Sequence, residues 1–361
     1  NAATLSVVSA LSITQQPQSQ IVCNGTNASF SITALGVSMY QWQVSTDGGS
    51  SWSTITGATN TTYTLTAPGL GLSGNLYRCV VSGSCGTANS ASATLTVNPI
   101  TAIAQQPNAQ TICAGSAVSF SVTATGASIT YQWQQSLNGC NGPWTTISGA
   151  TSATYTINNA PVSLDNTAYR CIVNGTCTAA LTSGCGLLTV VAPTTVTTQP
   201  ISQTVCDGAG VTFTTAGSGA GVIYQWQVNT GSGFTNLSNG GIYSGVTTAS
   251  LAISTTNPAM SGYQYRCVLS NAVCTTPVNT NTITLTVNTL PAISSQPQAQ
   301  TTCSGTTVSF TVGATGTGVQ YQWQVNTGTG FVNLTNTGNY TGATTSTLVV
   351  SNTTVAMSGY Q

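Results

Sequence analysis

The sequence predicts an all-β protein built from several antiparallel sandwiches in tandem, and three observations carry that expectation. One four-residue string recurs at near-constant spacing, short stretches alternate apolar and polar residues, and no stretch has a helical period. The string is Tyr40-Gln41-Trp42-Gln43, Tyr131-Gln132-Trp133-Gln134, Tyr224-Gln225-Trp226-Gln227 and Tyr321-Gln322-Trp323-Gln324, in steps of 91, 93 and 97 residues. A Gln-Pro pair (Gln16-Pro17, Gln106-Pro107, Gln199-Pro200, Gln296-Pro297) keeps nearly the same beat. Units of this length exceed solenoid repeats, so each is expected to be a domain with its own core.

Val118-Ser119-Phe120-Ser121-Val122, Tyr155-Thr156-Ile157 and Thr94-Leu95-Thr96-Val97 alternate with a period of two, which puts one face inward and the other in solvent. β-Branched residues dominate, and Gly, Asn and Ser separate the stretches, so these are strands joined by turns. About seven or eight short strands per unit are expected from this length. The division is residues 9–98, 99–192, 193–288 and 289–361, with residues 1–8 read as the last strand of a preceding repeat. Asn1-Ala2-Ala3-Thr4-Leu5-Ser6-Val7-Val8 matches the stretch ending in Val97-Asn98, and Met357-Ser358-Gly359-Tyr360-Gln361 copies Met260-Ser261-Gly262-Tyr263-Gln264. The fourth repeat is therefore expected to stop before its sixth strand. Either a longer parent chain or a strand from another molecule would complete it.

Composition excludes most chemistry. The 361 residues contain three Lys and Arg together, three Asp and Glu together, and no His. The charged residues are Arg78, Arg170, Arg266, Asp47, Asp165 and Asp207, so Lys and Glu are absent. General acid–base catalysis and clustered metal ligation lack their side chains, so no enzyme, cofactor or metal site is expected. Nucleic acid and anionic membranes find no basic patch, and no stretch reaches the apolar length of a membrane span. With 40% apolar residues and no net charge the chain is expected to fold. It opens at Asn1 without initiator Met or signal peptide, and reads as a mature or excised segment.

The order of landmarks resembles the immunoglobulin fold. A Trp lies in the third strand, and later comes Tyr-Arg-Cys (Tyr77-Arg78-Cys79, Tyr169-Arg170-Cys171, Tyr265-Arg266-Cys267), with Tyr two residues before Cys as at a tyrosine corner. Ser73-Gly74, Asp165-Asn166 and Ser261-Gly262 stand where that family turns into its sixth strand. The whole unit is similar to the bacterial immunoglobulin-like repeats of very large secreted surface proteins and adhesins. The resemblance implies tandem immunoglobulin-like antiparallel β-sandwiches, as beads on a string, with Trp42, Trp133, Trp226, Trp323, Tyr77, Tyr169 and Tyr265 in their cores. It implies no ligand, because the fold hosts many functions.

The cysteines depart from that family. Ile32, Val122, Thr215 and Val312 occupy the inward second-strand positions where antibody domains have Cys. Cys23, Cys113, Cys206 and Cys303 lie nine residues upstream, and Cys85, Cys177 and Cys274 lie near the tip of the last hairpin. Twelve cysteines without a C-x-x-C pair are read as disulfide candidates in an oxidising, extracellular or cell-surface location. Two pairings are open. One joins the early Cys to the sixth-strand Cys, as Cys23 to Cys79; the other joins the end of one repeat to the hairpin tip of the next, as Cys23 to Cys177 and Cys113 to Cys274. The second leaves Cys79, Cys171 and Cys267 as buried thiols. Cys140 and Cys185 are extra in the second repeat and pair with each other or with a neighbouring molecule.

Other polar and aromatic residues have plain structural readings. The three Arg are expected to lean on Gln of the third strand, Asp47 and Asp207 to sit in turns, and single Asp residues to be too few for calcium. Trp52, Trp144, Phe234 and Phe331 are hairpin aromatics that pack over a sheet edge or stack on carbohydrate. The third and fourth repeats share a longer middle hairpin (residues 239–245 and 336–342), which points to duplication of a spacer. Sequons at Asn24, Asn60, Asn174, Asn236, Asn333 and Asn339 are too frequent in a Thr- and Asn-rich chain to indicate glycosylation.

A neutral surface of hydroxyls and amides packs against copies of itself without repulsion. A self-assembling extracellular filament is the resulting functional reading, with copies of the chain, the cell surface or extracellular matrix as partners. A spacer stalk of a surface adhesin is its alternative. Binding of glycans or ice by Thr-rich faces stands behind both.

Overall fold

The structure, a computed structural model, describes residues 3–361. Among the described residues the regular structure is strands and short 3-10 turns, with no α-helix. The chain divides into two compact units, one running to Val191 and the other spanning Ala192–Gln361. Both are built of immunoglobulin-like β-sandwiches.

In the first unit the pattern begins at Ser12–Gln15, which pairs antiparallel with Thr33–Leu35. The chain then reaches Gln16-Pro17. Pro has no N–H to continue a ladder, so pairing ends there, and the next strand, Gln20–Cys23, crosses to the opposite sheet. There it lies parallel to Ala93–Asn98, with Leu95 opposite Gln20 and Asn98 opposite Cys23. That sheet continues through Leu76–Gly83 to Met39–Ser45 and Ser53–Thr54. The facing layer pairs Ala28–Ser31 with Thr62–Leu65. The same order recurs from Ala102–Gln105 to Gly186–Val191.

The Gln of each Gln-Pro pair fastens the crossing. Gln16 Oε1 accepts from Ala91 N at 2.8 Å and Gln106 Oε1 from Gly184 N at 2.8 Å. The turn into the sixth strand is fastened in a similar way. Gly74 and Asn166 take positive φ (93° and 61°), a backbone that Gly and Asn tolerate. The preceding side chain accepts from the last strand, Ser73 Oγ from Val97 N at 3.0 Å and Asp165 Oδ1 from Val190 N at 2.9 Å.

Period-two alternation gives each sandwich its core. Phe30, Ile32, Trp42, Tyr77, Cys79, Val81 and Leu95 are buried in the first, and Phe120, Val122, Trp133, Tyr169, Cys171, Val173 and Leu188 in the second. Phe30 stacks on Tyr77 at 4.8 Å and Phe120 on Tyr169 at 4.7 Å. Each Trp also needs a partner for its indole N–H. Trp42 Nε1 donates to Asn60 O and Trp133 Nε1 to Ser152 O, both at 2.9 Å.

The second unit repeats the scheme from Thr195–Thr198 to Ile283–Asn288, again with parallel pairing of Gln203–Cys206 against Ile283–Asn288. Phe213, Trp226, Tyr265, Cys267 and Leu285 form its core, and Gln199 Oε1 accepts from Asn281 N at 2.8 Å. Beyond Ala292–Ser295 the pattern thins. Val308–Thr311 pairs with Thr347–Val350, and Gln324–Asn326 pairs with Phe331–Asn333. Residues 300–303 form no strand, although they match Gln20–Cys23 in sequence, because nothing lies beside them as a last strand. Trp323 keeps its bond to Thr345 O at 2.9 Å but is only partly buried.

Residues 3–11 likewise form no strand, and Leu5, Val7 and Val8 are exposed. Asn1 and Ala2, the start of the stretch read as a last strand, lie outside the described residues.

The half-open site around Trp323 gives a differential prediction. Trp133→Ala should destabilise its sandwich by about 3–5 kcal/mol, the usual cost of emptying a buried aromatic site. Trp323→Ala should cost clearly less, as compared by denaturant unfolding of the two variants; equal costs would contradict the different burial.

Burial also sets the alkaline limit. It raises Tyr169 from the ordinary 10.0 to about 12 and Cys267 from 9.0 to about 11, because the anions cannot be solvated in the core. Folded values raised above unfolded ones give stability that is complete below the unfolded values and lost as pH rises through the folded ones. Thermal midpoints by circular dichroism should therefore hold to about pH 9 and fall between about 10 and 12. A midpoint that rises in that interval would contradict the assignment.

Candidate functional site: the junction between repeats and the arginine face

The first unit contains a covalent junction. Cys23, at the end of its strand, is bonded to Cys177 at a Cα–Cα distance of 5.4 Å, 154 residues away in sequence. Cys177 occupies the tip between Thr167–Gly175 and Thr178–Thr182, two antiparallel strands of the following sandwich. The tip is brought to Cys23 by the parallel strand pairing, which places Asn98 opposite Cys23. Asn24 N donates to Asn98 O at 2.9 Å, and Cys177 Sγ lies 3.9 Å from the same oxygen.

Polar contacts hold the hairpin tip against the start and a loop of its own repeat. Thr101 N donates to Thr178 Oγ1 at 3.0 Å and Thr176 N to Ala127 O at 3.1 Å. Gly175 is required at the close approach, where a Cβ would collide with Thr101 Oγ1. Cys140 and Cys185 are bonded to each other at a Cα–Cα distance of 5.9 Å. They tie the hairpin after Thr130–Ser136 to the start of Gly186–Val191.

Cys113 and Cys274 are also disulfide-bonded, whereas Cys79, Cys85, Cys171, Cys206, Cys267 and Cys303 are thiols. The pairing of Cys23 with Cys79 is not made. Cys79 stands opposite Trp42 in the register and points into the core, while Cys23 ends its strand at the rim. Cys171 and Cys267 face Trp133 and Trp226 in the same way. Burial pushes all three thiols above the ordinary value, so they stay protonated and unreactive.

The outer face of the same sheet carries the arginines. Arg78 Nε donates to Gln43 Oε1 at 2.9 Å, Arg170 Nε to Gln134 Oε1 at 2.9 Å and Arg266 Nε to Gln227 Oε1 at 2.7 Å. Each guanidinium also lies over a hairpin aromatic. The distances to the ring centroid are 4.1 Å for Arg78 over Trp52, 4.3 Å for Arg170 over Trp144 and 4.1 Å for Arg266 over Phe234. Phe331, in the equivalent hairpin, is 58% exposed.

Sequence reasoning missed this stack. Its signal was available: each repeat with an Arg in Tyr-Arg-Cys has a Trp or Phe in the middle hairpin. The first Gln of the repeated string is equally structural, since Gln41 Nε2 donates to Ile55 O at 2.8 Å and Gln132 Nε2 to Ile147 O at 2.8 Å.

Asp47 is a turn residue held by neutral donors. Its carboxylate accepts from Ser45 Oγ at 2.6 Å and from Ser51 N at 2.9 Å, and these bonds hold its pKa well below the usual carboxylate range. Among the described residues no group of three or more His, Cys, Asp or Glu is placed to hold a metal ion. Among the described residues no helix is long and apolar enough to cross a membrane.

The comparisons agree with this architecture. A family model described as a domain of unknown function, DUF8696, matches residues 13–99 and again residues 104–192. No curated protein matches the sequence. Among solved structures, the I-band fragment I67-I69 from titin is similar at 17% identity and a TM-score of 0.51, over 78% of this chain and 99% of that one. A three-immunoglobulin structure of the same titin domains with Glu-to-Ala changes gives 18% identity and a TM-score of 0.50, over 77% and 98%. Sidekick-1 immunoglobulin domains 1–5 give 15% and 0.36, over 95% and 73%. At such identity the titin likeness defines a fold, and that fold is a tandem immunoglobulin-like array.

The junction predicts a specific loss. Cys23→Ser should lower the stability of the first unit by on the order of 2–5 kcal/mol, as expected for opening a long disulfide loop. Cys79→Ser should leave Cys177 blocked to thiol reagents. Labelling of Cys177 in folded Cys79→Ser protein would contradict the assigned partner.

Proposed function

We propose that the chain is a structural extracellular protein whose immunoglobulin-like repeats, residues 9–98, 99–192, 193–288 and 289–361, self-assemble into a surface filament. The observation that carries this reading is the covalent junction between successive repeats set in a surface almost without charge. A disulfide between Cys23 and Cys177 restrains the first two repeats against each other. The arginines present are already engaged by Gln and aromatic rings. The exposed faces carry neutral ladders such as Ser29 Oγ with Thr64 Oγ1 at 2.9 Å and Ser119 Oγ with Thr156 Oγ1 at 2.8 Å. Hydroxyl surfaces of this kind meet without like-charge repulsion and without sensitivity to salt.

The disulfides support an oxidising compartment, and copies of the chain are the partners this surface suits best. The same restraint supports a second reading, a spacer stalk that holds a distant adhesive domain away from a cell surface. The absence of His, Lys and Glu from the sequence supports a non-catalytic role.

Assembly should be indifferent to solution conditions. Purified protein examined by electron microscopy should form ordered bundles from about pH 5 to 9 and from low to molar salt, the range over which few groups titrate and screening has little to act on. Single beaded strands under all conditions would favour the stalk, and bundles that dissolve within that range would overturn the filament.

A further inference from the structure

We infer that two copies of the chain dock through the second repeat, where Thr154–Ile157 of each copy pairs antiparallel with the same strand of the other. The inference rests on the self-assembly reading above and supplies one lateral contact for it. The second repeat is complete, with its strands paired from Ala102–Gln105 to Gly186–Val191, so this edge is open by its own sequence.

The third and fourth repeats show what covers such an edge. Leu237 N donates to Trp226 O at 2.9 Å and Trp226 N to Val246 O at 2.8 Å, and residues 238–245 between them supply an extra strand, Tyr243–Ser244. That strand pairs with Ser250–Ile253, and Ser254 N donates to Ile242 O at 2.9 Å. Tyr340–Thr341 does the same for Thr347–Val350, with Ser351 N donating to Asn339 O at 2.9 Å. In the second repeat Ile147 N donates to Trp133 O and Trp133 N to Ala150 O, both at 3.0 Å, and only Ser148-Gly149 lies between. That is too short for a covering strand, and the sheet stops at Thr154–Ile157.

The open edge has a defined hydrogen-bonding pattern. Val122 N donates to Ala153 O at 3.0 Å, so the backbone groups of Ala153, Tyr155 and Ile157 turn toward Val118–Ser121, and those of Thr154, Thr156 and Asn158 turn outward. Among the described residues no backbone group answers these three. Tyr155 and Ile157 are half-buried, whereas their counterparts Leu251 and Ile253 are 0% and 1% exposed. The first repeat has the same short hairpin, but Leu65, in the place of Ile157, is buried and the chain turns away at Ala67 (φ 48°).

Charge and self-complementarity select a second copy as the occupant. Neither strand of this sheet carries an Arg or Asp, so a charged partner finds nothing to pair with, and no Pro or Lys guards the edge. A two-fold axis at Thr156 sets Thr156 opposite Thr156 of the copy, Thr154 opposite its Asn158, and Tyr155 opposite its Ile157. All three outward residues are then bonded, and the two half-buried side chains cover each other. The hydroxyl ladder of Ser119 Oγ with Thr156 Oγ1, at 2.8 Å, runs on into the copy. Thr–Thr and aromatic–β-branched pairs are favourable across strands. Asn158 of the copy also comes beside a cavity of about 230 Å³ lined in part by Ser148, Thr151, Ser152 and Thr154, whose hydroxyls suit a carboxamide. The contact is isologous, the same patch on both copies.

The test is sedimentation velocity of the whole chain over a concentration series, after blocking of accessible thiols. Thr156→Lys and Thr156→Glu each set like charges opposite one another at the axis and should raise the apparent dissociation constant about fivefold or more. An equimolar mixture of the two variants should restore association. Thr212→Lys adds the same charge to the covered sheet of the third repeat and should leave association unchanged. Thr156 and Thr212 are exposed, so circular dichroism of the variants should match the parent. In the unsubstituted chain, amide hydrogen exchange at Thr154, Thr156 and Asn158 should slow as concentration rises. Unchanged exchange in associated protein, a mixture that fails to restore association, or equal weakening by Thr212→Lys overturns the docking while leaving self-assembly standing. An unsubstituted chain that stays monomeric at every concentration overturns both.

Discussion

The parallel pairing of Gln20–Cys23 with Ala93–Asn98 is the interaction on which the rest of the first unit depends. The strand reaches that place only because Gln16-Pro17 stops the first ladder and hands the chain to the opposite sheet. The Gln16 side chain then holds the crossing through the Ala91 N–H. Once in register, the strand covers the core edge and carries its last residue, Cys23, to the rim beside the linker. The hairpin tip of the following repeat reaches the same rim. A local rule about proline thus becomes a covalent junction between domains.

The scarcity of charge changes how polar groups are satisfied. A typical domain would place Lys and Glu on its outer faces; here Gln, Ser, Thr and Asn act alone, and their bonds are spent within the repeat. Gln41 stitches its strand to the middle hairpin, Gln43 orients Arg78, and Ser90 Oγ accepts from the N–H of Cys79 in the core. The arginine is desolvated on one side by Trp52 and bonded on another by Gln43. A cation over an aromatic face is worth about 0.5–1 kcal/mol at an exposed site, more when desolvated. The charge is therefore better understood as part of the sheet's outer packing than as a free contact group.

Much of the fold was legible because it depends on short-range periodicity. Alternation places Phe30, Ile32, Tyr77, Cys79 and Val81 inside, and the spacing of Trp42, Trp133, Trp226 and Trp323 marks the repeats. The junction was only partly legible. That Cys79 points inward follows from the alternation, but the position of Cys23 depends on which sheet its strand joins, and a Gln-Pro pair does not state that by itself. The stack of Arg78 on Trp52 escaped notice because hairpin and sixth strand are remote in sequence and meet only across the third strand. Residues 300–303 match Gln20–Cys23 in their Gln and Cys yet form no strand, because a strand exists through its neighbour, and the neighbour is not a property of the segment.

Rim cysteines join the first two repeats while the core cysteines stay reduced. Peptide mapping of the chain, digested without reduction after blocking of accessible thiols, tests it most directly. The expected result is a Cys23–Cys177 cross-linked peptide, together with Cys79 and Cys171 that react only after denaturation. A peptide joining Cys23 to Cys79 would contradict it.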